Sequence, residues 1–535
     1  MRVQTRGRRS RGSAVAITAT LLLGVAACGS DDDKKATETT AAQAATTQPA
    51  ATQPAATEAA TTEPATTEPA TTESAGTDTT ASETSTAGSD GGEAGGTLKL
   101  GILAECEGAF GGFNEDVVAG ATLAMVEDGG ATPKSKTTAL DGFTGAKVAG
   151  LDVDLVGVGC GDDTPDRIIQ EVRTLVEQDG AQVVLGPLSG DESIAVANYA
   201  KDHPEVTFID GIAGAQDTTL KVQAPNYFRF HGDGAQWNAG LGDQLHNVAG
   251  WDTVAVIADD YSFGWTSAAG FIADFCAVGG DVVTRVFPPL GTTDYSSFVQ
   301  QLPDPDEVDG YFWVVGGTGT NAALEAFVNA KGDLDGAQHA GNLFFSPALA
   351  TALGPNIAGA YVGGFASLPG DVKTPEIEAY LASADATWDT LAAGAAGGEV
   401  GPPSVAMGFG FGYGYYVAGK ALNQALVAVD GDLSDNQSAL REALSTMTLE
   451  VPYGDVTLDE NRQGIITTYV QQLVLDDSDE VVSKTVALIP DVDQTFGGTF
   501  TPDTPSPDRE NPPCEERELP WTGKAIPVVD GVPQE

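Results

Sequence analysis

From Thr97 onward the chain alternates short apolar runs with longer amphipathic ones. TLKLGILA is followed by FNEDVVAGATLAMVEDG, LDVDLVGV by TPDRIIQEVRTLVEQDG and AQVVLG by SGDESIAVANYAKDH, and VTFID closes the set. After a break near Arg229-Phe230-His231, WDTVAVIA leads to SFGWTSAAGFIADFCAVGG, DVVTRVF to YSSFVQQL and DGYFWVV to TGTNAALEAFVNAK. Short, mostly apolar runs of this kind read as buried strands. Interleaved with helices, they predict parallel sheets with right-handed crossovers. The expected fold class is therefore α/β, with two doubly wound lobes. Two helical patterns follow, around 375–392 and 403–429, then a late hairpin in VPYGDVTLDENRQGIITTYVQQLVL. From about Ile489 the chain is rich in Pro, Asp and Gly and reads as an extended tail over 489–535.

The first 96 residues carry a different pattern. MRVQTRGRRSR holds five arginines and no acid, and Ala14 to Ala27 is an uncharged, mostly apolar run too short for a permanent membrane span. This is the form of a secretory signal over 1–27. Its end, Val25-Ala26-Ala27-Cys28, resembles the bacterial lipobox, which makes Cys28 the lipidation site and places the protein on the outer face of the plasma membrane. Arg8-Arg9 lacks the flanking residues of a twin-arginine signal. Residues 46–75 are six pentapeptides of the TTEPA type, without large apolar side chains, so 28–96 forms no core and reads as a tether. As a coil it spans roughly 45–50 Å.

Charge and cysteines narrow the function. With 26 Lys+Arg against 76 Asp+Glu, the formal charge is -50. Such a surface repels nucleic acid, which excludes that class of partner. After Cys28 four cysteines remain, Cys106, Cys160, Cys276 and Cys514; in an exported chain they imply two disulfides with three possible pairings.

The turn VVLGPLSGDES, residues 183–193, is the first candidate for chemistry. A nucleophile elbow needs GxSxG, and here Gly186 lies three residues before Ser189. A base would have to be one of His203, His231, His246 and His339. There is no GxxxxGK[ST], and Ser189-Gly190-Asp191-Glu192 has the S-x-x-E form of a capping box. What the turn offers is backbone N–H groups at a helix start on the carboxyl edge of a parallel sheet, where open α/β proteins bind ligands. Asp162, Asp163 and Asp166, and Asp430, Asp432 and Asp435, lie at helix starts, and the second set lacks EF-hand offsets. No metal and no cofactor are expected. Leu519-Pro520-Trp521-Thr522-Gly523 matches a sortase pattern without the hydrophobic and basic residues that sorting needs.

Lipobox and tether, LKLGILAECEGAFGGFNEDVVAGATLAM, GDDTPDRIIQEVRTLVEQDGAQVVLGPLSG, ADDYSFGW and DVTLDENRQG together resemble the branched-chain-amino-acid-type substrate-binding proteins of ABC transporters, of periplasmic binding protein type I, over roughly 97–480. The resemblance implies two lobes joined by three crossovers, placed near Arg229–Asp233, Gly363–Ser367 and Leu449–Gly454. The lobes are then 97–230 with 367–450, and 231–366 with 451–488. It further implies ligand-binding residues: Leu188, Ser189 and Gly190 in one turn, Ile212, Ala213 and Gly214 in the next, and an apolar wall at Phe110. From the second lobe it implies Tyr261, Phe263, Gly317 and Thr318. Amino-acid binders of this type carry a second-lobe carboxylate just after a proline; FFSPALA has Ala348 there, with Glu105 or Glu107 as first-lobe substitutes. In a doubly wound lobe the first two strands are neighbours, which pairs Cys106 with Cys160 and leaves Cys276 for Cys514.

The function expected is a lipid-anchored, monomeric solute-binding protein, not an enzyme. It would capture a small polar molecule (an amino acid, amide, urea-like compound or carboxylate) and deliver it to ABC permease subunits. A sensor of the same fold without transport, and a secreted hydrolase using Ser189, are the alternatives.

Overall fold

The computed structural model describes residues 96–317, 319–344, 346–364 and 368–534. The first sheet contains β1 (Thr97–Glu105), β2 (Leu151–Gly161), β3 (Val183–Leu185), β4 (Thr207–Ile209) and β5 (Tyr227–Phe228), all parallel, in the order β2-β1-β3-β4-β5. A short antiparallel strand, Ala146–Val148, edges it. The second sheet begins with β6 (Thr253–Ala258), β7 (Asp281–Val286), β8 (Gly310–Val314), β9 (His339–Gly341) and β10 (Tyr361–Gly363), parallel in the order β7-β6-β8-β9-β10. Both are the 2-1-3-4-5 order of a doubly wound sheet. The antiparallel hairpin of β11 (Gly464–Leu475) and β12 (Val481–Val492) then extends the second sheet beyond β10.

The unbroken apolar runs follow from burial on both faces. In β1, Leu100 and Ile102 join the core under α1 (Asn114–Gly129), while Leu103 joins the core under α2 (Pro165–Arg173) and α3 (Gly190–Asp202). In β6, Val254 and Val256 face the core of α4 (Ser262–Ala277), and Ala255 and Ile257 that of α5 (Gly319–Lys331). Such a strand has no solvent side to carry polar residues. The later helix α8 (Gly410–Ala428) returns to the first sheet and packs on α1; α6 (Pro347–Leu353) and α7 (Pro375–Thr387) precede it. A Cβ on Gly120 would stand only 1.9 Å from Gly412 O, so glycine is what lets α1 and α8 approach.

Cys106 is bonded to Cys160 across the ends of β1 and β2, with Cα atoms 5.1 Å apart, and Cys276 to Cys514, with Cα atoms 5.3 Å apart. The residues after Val492 are folded more fully than an extended tail. Phe496, Phe500, Leu519 and Trp521 are buried, and Ile526–Val529 adds a strand beside β12. Trp521 sits inside the LPxTG-like stretch and donates to Asp274 Oδ1 (2.6 Å). Among the described residues no helix is long and apolar enough to cross a membrane. The signal, Cys28 and the tether lie outside the described residues.

Candidate functional site

Both parallel sheets point their carboxyl edges toward one junction, and the turns leaving β1, β3, β4, β6 and β8 meet there. A small cavity of about 10 Å³ is walled by Phe110, Leu188, Ile212 and Gly214 on the first-sheet side and by Tyr261 and Phe263 on the other, with Trp237 and Phe411 completing it. A second cavity, about 110 Å³, is lined by Phe113, Gly394 and Phe409 together with Gly317, Ser346 and Ala348. Six of the expected ligand residues thus surround the first cavity. Ser189, Gly190 and Ala213 are buried in the turns behind it. Gly317 lines the second, with φ +59 and so little room that a Cβ would lie 2.0 Å from Ala109 O. Thr318 lies outside the described residues.

The rings form one continuous set. Phe110 lies 6.3 Å from Tyr261 and 6.0 Å from Phe411, Phe113 lies 4.6 Å from Phe411, and Phe263 lies 5.7 Å from Trp237. Phe263 is only 5% exposed, packed against Gly214 and Trp237, so its ring also supports the junction itself.

The polar groups are arranged differently from the sequence expectation. The amides of Leu188 and Ser189 are not free: they donate to Glu105 Oε1 at 3.2 and 2.7 Å. The capping box does not form. Ser189 is the N-cap of α3 by its backbone, but its hydroxyl makes no cap bond, and Glu192 turns away to accept from Asp162 N (3.1 Å). Glu105, which reaches the turn from the end of β1, takes the Ser189 amide that the Glu192 carboxylate of a capping box would take. Asp163 Oδ2 accepts from Ala109 N (2.6 Å) and Phe110 N (3.3 Å), which fixes the Phe110 loop. Asp259, just after β6, accepts from Gly316 N (2.7 Å), and Asp191 accepts from Ser262 N (3.3 Å) across the junction. Gly394 N donates to Asp116 in the same way (3.2 Å). Glu105 is buried and Glu107 exposed, so of the two first-lobe acids only Glu105 reaches the junction.

Burial dominates the electrostatics. It pushes Asp259 up to about 8 and Asp163 up to about 6. It also raises Glu105, with the charge of Glu192 beside it adding to the effect, and Glu192 is pushed up to about 7. Neighbouring buried carboxylates cannot both ionise cheaply. Among the described residues no base engages the Ser189 hydroxyl, which makes no hydrogen bond to any of the four histidines. His231 is engaged by Asp210 Oδ1 (2.8 Å) and Gly232 O (2.9 Å), and buried His339 is pushed down to about 3. Among the described residues no group of His, Cys, Asp and Glu is placed to hold a metal ion.

Sequence reasoning missed Asp163 and Asp259 as site groups, and Trp237, Phe409 and Phe411 as walls. In the sequence Asp163 reads only as part of an acidic cluster at a helix start. Asp259 carried a signal, an acid at the last position of an apolar strand; the rings come from distant segments and carried none.

Two doubly wound lobes that close on a cleft at their carboxyl edges define a class of ligand-capturing proteins. The sequence pattern described as "Periplasmic binding protein" matches residues 97–479, and the chain belongs to that family, the type I binding proteins of ABC transporters. No curated protein matches it by sequence. Among solved structures it is similar to an ABC transporter substrate-binding protein from Sphaerobacter thermophilus, at 22% identity and TM-score 0.59, over 74% of this chain and 99% of that one. It is also similar to a solute-binding protein from R. palustris in complex with benzoate, at 20% identity and TM-score 0.58, over 72% and 95%. A leucine-binding protein from Thermotoga maritima matches at 17% identity and TM-score 0.56, over 74% and 99%.

Proposed function

We propose that this protein captures one small organic solute between its lobes and hands it to the permease of an ABC transporter, held to the membrane by lipid on Cys28. The lobes that close are 97–230 with 367–450, and 231–366 with 451–488. The observation that carries the reading is the meeting of turns from both lobes at one junction, Phe110, Leu188 and Ile212 from one and Tyr261 and Phe263 from the other; the space enclosed there is about that of one water, so the lobes part to admit a solute. A wall made of two lobes exists only when they are closed, and a solute that bridges them favours closure. Benzoate and leucine, named for two structural neighbours, are solutes of the size class meant here. The disulfide of Cys106 with Cys160 supports the same reading, since it braces the loop that presents Phe110.

The test is Phe263→Ala. Removing one ring from the wall takes away roughly 1–3 kcal/mol of burial, so solute affinity falls about tenfold or more in a titration followed by tryptophan fluorescence. Unchanged affinity would move the site away from this junction.

A further inference from the structure

The amide donors at the rims of the two sheets are already engaged by the chain's own carboxylates. Leu188 and Ser189 donate to Glu105, Ala109 and Phe110 to Asp163, and Gly316 to Asp259. Anion sites in parallel α/β folds are built from such amides. These five amides are therefore not free to bind a carboxylate.

What remains open is of the opposite polarity. Asp259 is 1% exposed, and its Oδ1 has no hydrogen-bond partner. The hydroxyl of Ser262, on a residue 8% exposed, has none either. Asp163 holds the Phe110 amide, the Phe110 ring lies against Gly316, and the Gly316 amide donates to Asp259, so the two carboxylates flank that ring. Among the described residues no lysine or arginine forms an ion pair with Asp163, Glu105, Glu192 or Asp259. The ring of Phe110 reaches the same place. A Cβ on Gly316 would lie 2.5 Å from Phe110 Cζ and 3.4 Å from Asp259 Oδ2. Unpaired buried carboxylates attract cations, the more so when water is excluded.

Building on the solute-binding reading above, we propose that the captured solute is an organic cation, an ammonium, amidinium or guanidinium group on an apolar body. Its charged head lies between Asp163 and Asp259, and its body lies against Phe110 and Tyr261. The Gly316 amide donates to Asp259, the charge of Asp163 acts on it, and its own charge acts on Tyr261 and Tyr295, with no positive group among them. A cation arriving there favours the ionised carboxylates, so binding releases protons and strengthens as pH rises toward about 8.

The experiment is a thermal-shift screen of the full chain at pH 8 against small amines, amidines, guanidines, carboxylic acids and neutral amides. The series benzamidine, benzamide and benzoate is included because shape is held while charge changes. The proposal predicts stabilisation by cations and none by carboxylates. Calorimetry of the best cation in two buffers of different protonation heat should show proton release. Asp259→Asn keeps an acceptor for Gly316 N, and should weaken that cation about tenfold or more while leaving the melting temperature of the free protein the same or higher. Hits confined to carboxylates or neutral amides would overturn the cation proposal and leave solute binding intact. Cation hits that bind Asp259→Asn equally well would overturn the site. A screen without hits in any class would overturn both readings.

Discussion

Asp259, Asp163 and Glu192 are carboxylates whose burial holds their proton affinity at about 8, 6 and 7. In the unfolded chain these groups titrate near ~4. Between about pH 4 and 8 the folded protein therefore binds more protons than the unfolded one, and stability rises as pH falls through that window. Asp260, paired with Arg509, and Asp309 are shifted the other way; they titrate below the window and weaken the fold only in stronger acid. We expect the unliganded protein to melt several degrees higher at pH 5.5 than at pH 8 in scanning calorimetry, with Asp259→Asn flattening the upper part of that slope. A melting temperature that fell steadily on acidification from pH 8 would contradict this placement of the carboxylates. At this scale the sequence was partly legible. Tyr261, Phe263 and Phe110 stood in recognisable turns. The partners of Ser189 did not, because the donors of its turn are taken by Glu105, 84 residues away in the chain.

At the scale of elements, alternation of buried strands and helices was readable because the central strands are covered on both faces, as Val254 and Ala255 show by facing different cores. The tail was legible only as Pro, Asp and Gly. Its order comes from scattered long-range contacts. Lys221 Nζ donates to Thr501 O (3.2 Å) and Pro502 O (2.8 Å), Arg509 pairs with Asp260, and Arg285 donates to Glu510 O (2.9 Å) and Pro512 O (3.0 Å). None of these has a local periodicity to betray it. Lys221 follows the Ile212–Gly214 turn, whereas Asp260 and Arg285 belong to the second sheet's side, so this segment runs from one lobe to the other before Cys514 joins Cys276. Arg229, buried at the first crossover, donates to Ala213 O (3.0 Å) and Ala215 O (2.6 Å) and so fixes the turn behind the cleft.

At the scale of the whole molecule, the lipobox-like Val25-Ala26-Ala27-Cys28 and the long Thr- and Pro-rich segment after it are what support the proposal of a binding domain held to a membrane by lipid. Anchor and cleft are separate in the sequence, so Cys28→Ser should release the protein into the medium with its solute affinity unchanged, measured by fractionation and by titration of the released form. Retention at the membrane would refute the lipid anchor. The central claim, capture of one solute between the lobes, is tested most directly by native mass spectrometry of protein freshly purified from its own cells. The account predicts one small molecule bound per chain, retained under gentle conditions by the parent and lost from Phe263→Ala. The same molecule held equally well by that variant would contradict it.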